Sequence, residues 1–509
     1  MKFLKLLSHL SFKRYLFYRL NLFVLLVILS LPFISFGDAE KEKLEYNFAK
    51  DNIERIEEQA LKTYESIINR GGLYKNQAIL DVGKHYYKKG KLLKSVEYLN
   101  KIYRGIEDEE ICAEANLYKG RIFCSYDFSN RDLNETFASL FYIIDVYPDC
   151  KFVKDAILEL ARVYMQEKDF ENAIKSYMEV IVEYPNSSLI PDAIMGIGLS
   201  YLRMNNLNLA IPWFKKLIDE YPDNELSELA RKYCTQIFKI NIQGNSKGKL
   251  YRIDRSFNPN FESIKAKSLS FVCEFAGNRI KTADYSQSYE VDLNSGAITL
   301  EPLKDVVNHF SFMYENYYTL IDTGIINDEV VIPLSLAPNK GDTYRPLRNI
   351  ICADKDSKGN FYVIDRIASG LHMFSREFKH LQTIETGRKV KLSWISIDPS
   401  DRIYLLSQQD AKLIILDESG EEIETIDLEE KFELSRPSRV EIDWIGNKFI
   451  FDDRKDSIFI FNQENELVYR FFLSHKEAVL VKKPKDFCID EFSNIFVLDA
   501  DKNNIVKFK

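Results

Sequence analysis

Residues 155–185, DAILELARVYMQEKDFENAIKSYMEVIVEYP, and residues 192–222, DAIMGIGLSYLRMNNLNLAIPWFKKLIDEYP, carry one pattern twice. Ala161, Tyr164, Ala173, Tyr177 and Pro185 return 37 positions later as Gly198, Tyr201, Ala210, Phe214 and Pro222. Helix packing explains the residue types. A small side chain on one helix lets a second helix approach, because interaxial distance follows the side chains at the crossing, and the aromatics fill the remaining space. Pro148, Pro185 and Pro222 end the second helix of each unit, since proline lacks the amide donor and clashes with the preceding turn. Each period is therefore predicted to be a pair of short helices.

Upstream, Gly120 and Phe123, then Gly83 and Tyr86 with Ser95 and Leu99, continue the pattern in weaker form. Over residues 76–224 the spacing and residue types resemble the tetratricopeptide repeat, in the slightly longer form of bacterial envelope proteins such as the outer-membrane assembly lipoproteins and Tol-Pal accessory proteins. Flanking helices are expected at about 45–70 and 226–238, capping the stack as solenoid ends require. The resemblance implies a concave groove, lined by the first helices, that holds a segment of a protein partner. By position it would present Tyr87, Lys88, Leu117, Arg121, Leu158, Arg162, Met165, Met195, Leu199 and Leu202. Several of these also suit packing between repeats.

After Lys239 the helical pattern stops, and residues 241–248 are polar and glycine-containing, as a linker is. A second period follows in four segments, 354–374, 398–416, 443–461 and 490–508. Each begins with an Asp after an apolar strand (Asp354, Asp398, Asp443, Asp490) and passes through a polar turn. An aromatic then sits in a second strand at Tyr362, Tyr404, Phe449 or Phe496. Steps of 42, 45 and 47 residues between these aromatics fall in the range of propeller repeats.

The segments resemble the NHL repeat, with Pro437 and Pro484 leading strands, Asn360, Asn447 and Asn494 at or near the turns, and Asp365, Asp452 and Asp499 after the aromatics. One segment departs, with Ser407 in place of the last Asp. Asp and Asn cap tight turns through their own backbone, so the acids read as structural rather than as calcium ligands. Eroded blades around 271–293 and 310–334 bring the count to six. The last segment stops after a third strand, and bare sheet edges invite aggregation. Lys249–Ile253, which resembles Leu467–Phe471, is expected to supply the missing outer strand within 249–254. The predicted fold class is thus α plus all-β: an α-solenoid of tetratricopeptide-like hairpins over 40–240, a linker over 241–248, and a six-bladed propeller over 249–509.

At the N-terminus, Lys2, Lys5, Lys13, Arg14 and Arg19 precede an uncharged run from Asn21 to Phe36, with small residues at Ser35, Gly37 and Ala39. Residues 1–37 therefore read as a secretory signal peptide or an uncleaved membrane anchor. The apolar run is short for a spanning helix, which needs about 20 residues. With no cysteine in that stretch, a lipid anchor there is excluded. Either reading places the remainder outside the cytoplasm, periplasmic or otherwise extracytoplasmic.

The formal charge is −8, and residues 251–509 carry 34 basic against 43 acidic side chains, or −9. That balance argues against nucleic acid, whose phosphates require clustered Lys and Arg. The seven cysteines lack the Cys-x-x-Cys or Cys/His spacing of zinc sites and read as core thiols. Six histidines are scattered, without a nearby nucleophile pattern. No catalytic residue, metal or cofactor is therefore expected. The expected role is a non-enzymatic protein-binding scaffold of the cell envelope, touching the membrane only through an uncleaved N-terminus. The alternative is a metal-dependent enzyme or ligand sensor with its site at the propeller channel, because NHL-like propellers include lactonases and lyases.

Overall fold

The computed structural model describes residues 38–102, 108–243, 251–275, 279–284, 287–302, 309–313, 316–327, 330–337, 345–385, 390–475 and 478–509. The expected signal or anchor at 1–37 lies outside them. So do residues 244–248 of the expected linker, whereas 241–243 end a π-helix, Ile237–Gln243. The chain forms two compact units, residues 1–159 and 160–509.

The first unit contains α1 (Asp38–Asn52), α2 (Glu57–Arg70), α3 (Lys75–Lys88), α4 (Leu92–Leu99), α5 (Glu109–Phe123), α6 (Leu133–Val146) and the start of α7 (Val153–Gln166). Its small residues sit where the sequence required close approach. A methyl group at Gly83 would lie 2.6 Å from the Leu99 side chain, and one at Gly120 2.8 Å from Leu140. The buried Ser95 hydroxyl adds a bond of 2.7 Å to the Gly83 carbonyl, tying α4 to α3 at the same crossing.

The second unit begins with the rest of α7, α8 (Phe170–Glu183), α9 (Ile190–Arg203), α10 (Leu207–Glu220) and α11 (Glu225–Gln236). A methyl at Gly198 would stand 2.5 Å from the Phe214 ring, and one at Gly196 2.3 Å from the Tyr177 ring. Asp169 and Asn206, one period apart, cap α8 and α10 by accepting the amides of Asn172 and Leu209, as short polar side chains do at a helix start. Trp444 and Ile445 from the propeller join the apolar core of α9, α10 and α11. Phe214, Tyr233 and Trp444 form a chain of ring contacts at 5.3 and 5.8 Å.

The propeller has six antiparallel sheets. Blades 1 to 5 have four strands each, over 272–302, 309–333, 350–384, 394–427 and 437–472, and blade 6 has three, over 484–508. Their innermost strands touch in sequence order, and that of blade 6 returns to that of blade 1. Third strands end at Phe374, Leu416, Phe461 and Phe508, each 12 residues past the repeating aromatic. Beside the bare edge of blade 6, Arg252 exchanges two backbone bonds of 2.9 Å with Lys509, and the Asp254 amide donates to the Lys507 carbonyl at 2.8 Å. A segment from before blade 1 thereby pairs with the third strand of blade 6 through an isolated bridge, Ile253 to Phe508, while residues 249–250 of the expected strand lie outside the described residues.

One detail of the period needs correction. The turn of blade 3 is held by Asp356, not by Asp354. Asp356 accepts the Asn360 amide and side chain at 2.8 and 2.9 Å and the Tyr362 hydroxyl at 3.2 Å. The amide and side chain four residues on are likewise held by Asp398 (Arg402), Asp443 (Asn447) and Asp490 (Asn494), and Asp398 also accepts the Tyr404 hydroxyl, whereas Phe449 and Phe496 have none to offer. Two aspartates flank this turn, and only the second has the spacing that reaches the amide four residues on. Each turn then passes through a left-handed residue three places after the acid, at Gly359, Asp401, Gly446 and Ser493.

Candidate functional site

The ten groove positions differ in exposure and in their partners. Leu117, Leu158, Met195 and Leu202 are buried, at 2–4% exposure, and present no surface. Arg121 and Arg162 are held in ion pairs, Arg121 with Glu159 at 2.8 Å and Arg162 with Asp192 at 2.8 Å. Tyr87 packs edge-on against Tyr118 with ring centres 5.1 Å apart. The Met165 sulfur accepts the Ser200 hydroxyl at 2.9 Å. Lys88 and Arg162 are exposed, and Met165 and Leu199 are half-buried. Of the ten positions, those accessible in the second unit are Arg162, Met165 and Leu199.

At the propeller axis the innermost strands bring together charges that sequence reasoning did not single out. Arg439, 3% exposed, donates to Asp486 at 2.6 Å, to Glu441 at 2.6 Å and to the Val272 carbonyl at 2.9 Å. Its guanidinium lies 4.6 Å from the Trp394 ring centre. One side chain thus joins blades 5, 6, 1 and 4. Burial opposes its charge, but Asp486 and Glu441 hold its pKa above the ordinary value. Burial also raises Glu441 despite the adjacent guanidinium. Nearby Asp354, bonded to the Ile397 amide at 2.6 Å, is pushed up to about 7 by burial. A buried charge is tolerated only when paired, and here a guanidinium already serves as counter-ion to the axial carboxylates. The available signal was an arginine two residues from a glutamate inside the strand Pro437–Ile442.

The acids after the aromatics perform a different task. Asp365 accepts the amides of Arg348, Asn349, Ile367 and Ala368 at 2.7–2.9 Å. Asp452 does the same for Ser435, Arg436, Arg454 and Lys455, and Asp499 for Lys482, Lys483, Asp501 and Lys502. Each carboxylate locks the loop that enters its blade to the turn between the second and third strands. Burial opposes the Asp365 charge, yet the four amides hold its carboxyl below the ordinary value. Structural bonds also engage the described histidine side chains: His85 meets Glu57 at 2.9 Å, and His372 and His380 both meet the Thr383 hydroxyl, at 3.0 and 3.1 Å. Among the described residues, no group of three His, Cys, Asp or Glu is placed to hold a metal ion.

The tetratricopeptide-repeat family model matches residues 155–187 and 192–224. No curated protein matches the sequence. Among solved structures, virginiamycin B lyase from Staphylococcus aureus is similar at 10% identity over 51% of this chain and 99% of its own, with a TM-score of 0.38. A regucalcin described as a calcium-binding protein, from Agrobacterium tumefaciens, is 11% identical over 48% and 90%, with a TM-score of 0.35. The MamA protein is 20% identical over 36% and 92%, with a TM-score of 0.30. The chain is thus one in which tetratricopeptide repeats precede a six-bladed propeller.

Proposed function

We propose that this chain is a non-catalytic protein-binding scaffold of the bacterial cell envelope, exported through residues 1–37 and holding partners on its helical repeats and on one propeller face. The observation that carries this reading is the tetratricopeptide match at 155–187 and 192–224, where Arg162, Met165 and Leu199 remain accessible. Repeats of this kind are protein-interaction modules. The rival reading, an enzyme with a metal at the channel, is weakened by Arg439, which already pairs with both Asp486 and Glu441.

Photo-cross-linking from position 199 in the native envelope tests the proposal. A discrete protein adduct is expected, and Arg162→Glu should diminish it. Absence of any adduct, together with stoichiometric metal in the purified full chain, would overturn the scaffold reading in favour of the channel enzyme.

A further inference from the structure

The exceptional blade points to a ligand site. In blades 1, 3, 5 and 6 the acid that follows the second strand accepts the amide seventeen residues upstream. Asp284 takes Lys267 at 3.0 Å, Asp365 takes Arg348 at 2.9 Å, Asp452 takes Ser435 at 2.6 Å and Asp499 takes Lys482 at 3.1 Å. Blade 4 has Ser407 at that place, and seventeen residues upstream is Val390. The Ser407 hydroxyl turns back into its own turn, donating to Asp410 at 2.8 Å and accepting the Asp410 amide at 3.2 Å. Loop closure passes instead to Ser393, which donates to the Leu406 carbonyl and accepts the Gln408 amide at 3.0 Å. Among the described residues, the amides of Val390 and Lys391 donate to no protein acceptor.

A cavity of about 1030 Å³ opens beside this loop, lined by residues of blades 2 to 5. Its lining includes Arg366, Lys391, Arg436, Trp394 and Gln408, with Asp322 as its acid. Arg436 is paired with Asp453. Arg366 and Lys391 are exposed and, among the described residues, have no ion-pair partner. In a chain of net charge −8, the uncommitted side chains of Arg366 and Lys391 line this cavity, beside the loop whose Val390 and Lys391 amides lack the carboxylate that the sibling blades supply. The volume suits a small organic molecule, and charge-assisted bonds from guanidinium, ammonium and amide to a carboxylate are the stronger kind.

We infer that this cavity binds a carboxylate-bearing ligand, whose carboxylate takes the place that Asp365, Asp452 and Asp499 occupy in the neighbouring blades. The site goes beyond the scaffold reading and stands independently of the helical repeats. The carboxylate belongs either to a free small acid or to the C-terminus of a protein chain, and both share the same chemistry.

Calorimetry on the purified full chain tests this with glutarate, its uncharged analogue glutaramide, inorganic phosphate, and a short peptide with a free or an amidated C-terminus. Glutarate or the free-acid peptide should bind and their neutral counterparts should not; binding of the peptide alone assigns the carboxylate to a protein. Ser407→Asp rebuilds the sibling arrangement inside the chain and should weaken binding at least about tenfold, the equivalent of one such bond. Arg366→Gln with Lys391→Gln, both on exposed side chains, should weaken it similarly if Ser407→Asp fails to fold. No binding by either acid, unchanged affinity in these variants, or phosphate binding as tightly as the carboxylates would overturn the inference.

Discussion

The two kinds of repeat in this chain solve the same problem by opposite means. In the helical repeats the recurring element is an absence: at Gly83, Gly120 and Gly198 the side chain is missing so that Leu99, Leu140 and Phe214 can enter. In the propeller it is a polar addition, a carboxylate that collects backbone amides from two loops. A helix satisfies its own backbone, so neighbours need only shape to fit. Loops do not, and buried amides without acceptors are costly. Apolar fit therefore marks the solenoid positions, and charged acceptors mark the blade positions.

Removing one of these acceptors should give the largest effect. Asp365→Ala deprives four amides of their acceptor and is expected to destabilise the propeller by about 3 kcal/mol, read from urea unfolding. Because the folded pKa of Asp365 is depressed, its contribution is present above the unfolded value near 3.8 and is lost as the pH falls through the folded value. The variant should lack that acid-side loss. Ser407→Ala, in the blade without the carboxylate, should stay within about 1 kcal/mol. Equal effects at the two positions would break the distinction between locked and unlocked blades.

An intermediate effect is expected where shape alone is at stake. Gly198→Val places carbon inside the Phe214 ring contact, where even a methyl would lie 2.5 Å away, and overpacking of this kind costs about 2 kcal/mol. Phe214→Leu on its own leaves a small void, but combined with Gly198→Val it should recover part of the loss. A double-mutant cycle measures that coupling, and strict additivity would show that the two residues do not share a crossing.

What could be read from the sequence follows the same division. Both periods were legible because Ala161 and Gly198, or Tyr404 and Phe449, answer to local constraints repeated at fixed spacing. Blades 1 and 2 were legible only as lengths of chain, since their aromatic signal is eroded, although Asp284 preserves the lock seventeen residues after Lys267. The axial group was not legible. Arg439, Asp486 and Val272 come from different blades, and only the closed ring brings the blade 1 carbonyl to Arg439. The groove residues lay between these extremes: a positional resemblance named them, but burial of Leu117 and Leu202 depends on which side chains neighbouring helices place over them.

Where helices meet propeller, the two modes combine, and the smallest effect should separate them. The Lys239 ammonium donates to the Ser493 carbonyl at 3.1 Å and to the Asn494 side chain at 3.3 Å, and it lies 4.2 Å from the Tyr251 ring centre. Burial lowers its pKa from 10.5 to about 8, with Asp490 opposing the shift and Lys507 adding to it. For a depressed lysine, the contribution to stability is present above 10.5 and is lost as the pH falls through about 8. Between those values wild-type stability should therefore rise with pH from this group. Lys239→Met keeps the apolar stem against Tyr251 and removes the titration, so the variant should change stability at pH 7 by no more than about 1 kcal/mol while losing that part of the slope. An unchanged slope would mean that water reaches the ammonium in the folded state, so that burial does not shift its titration.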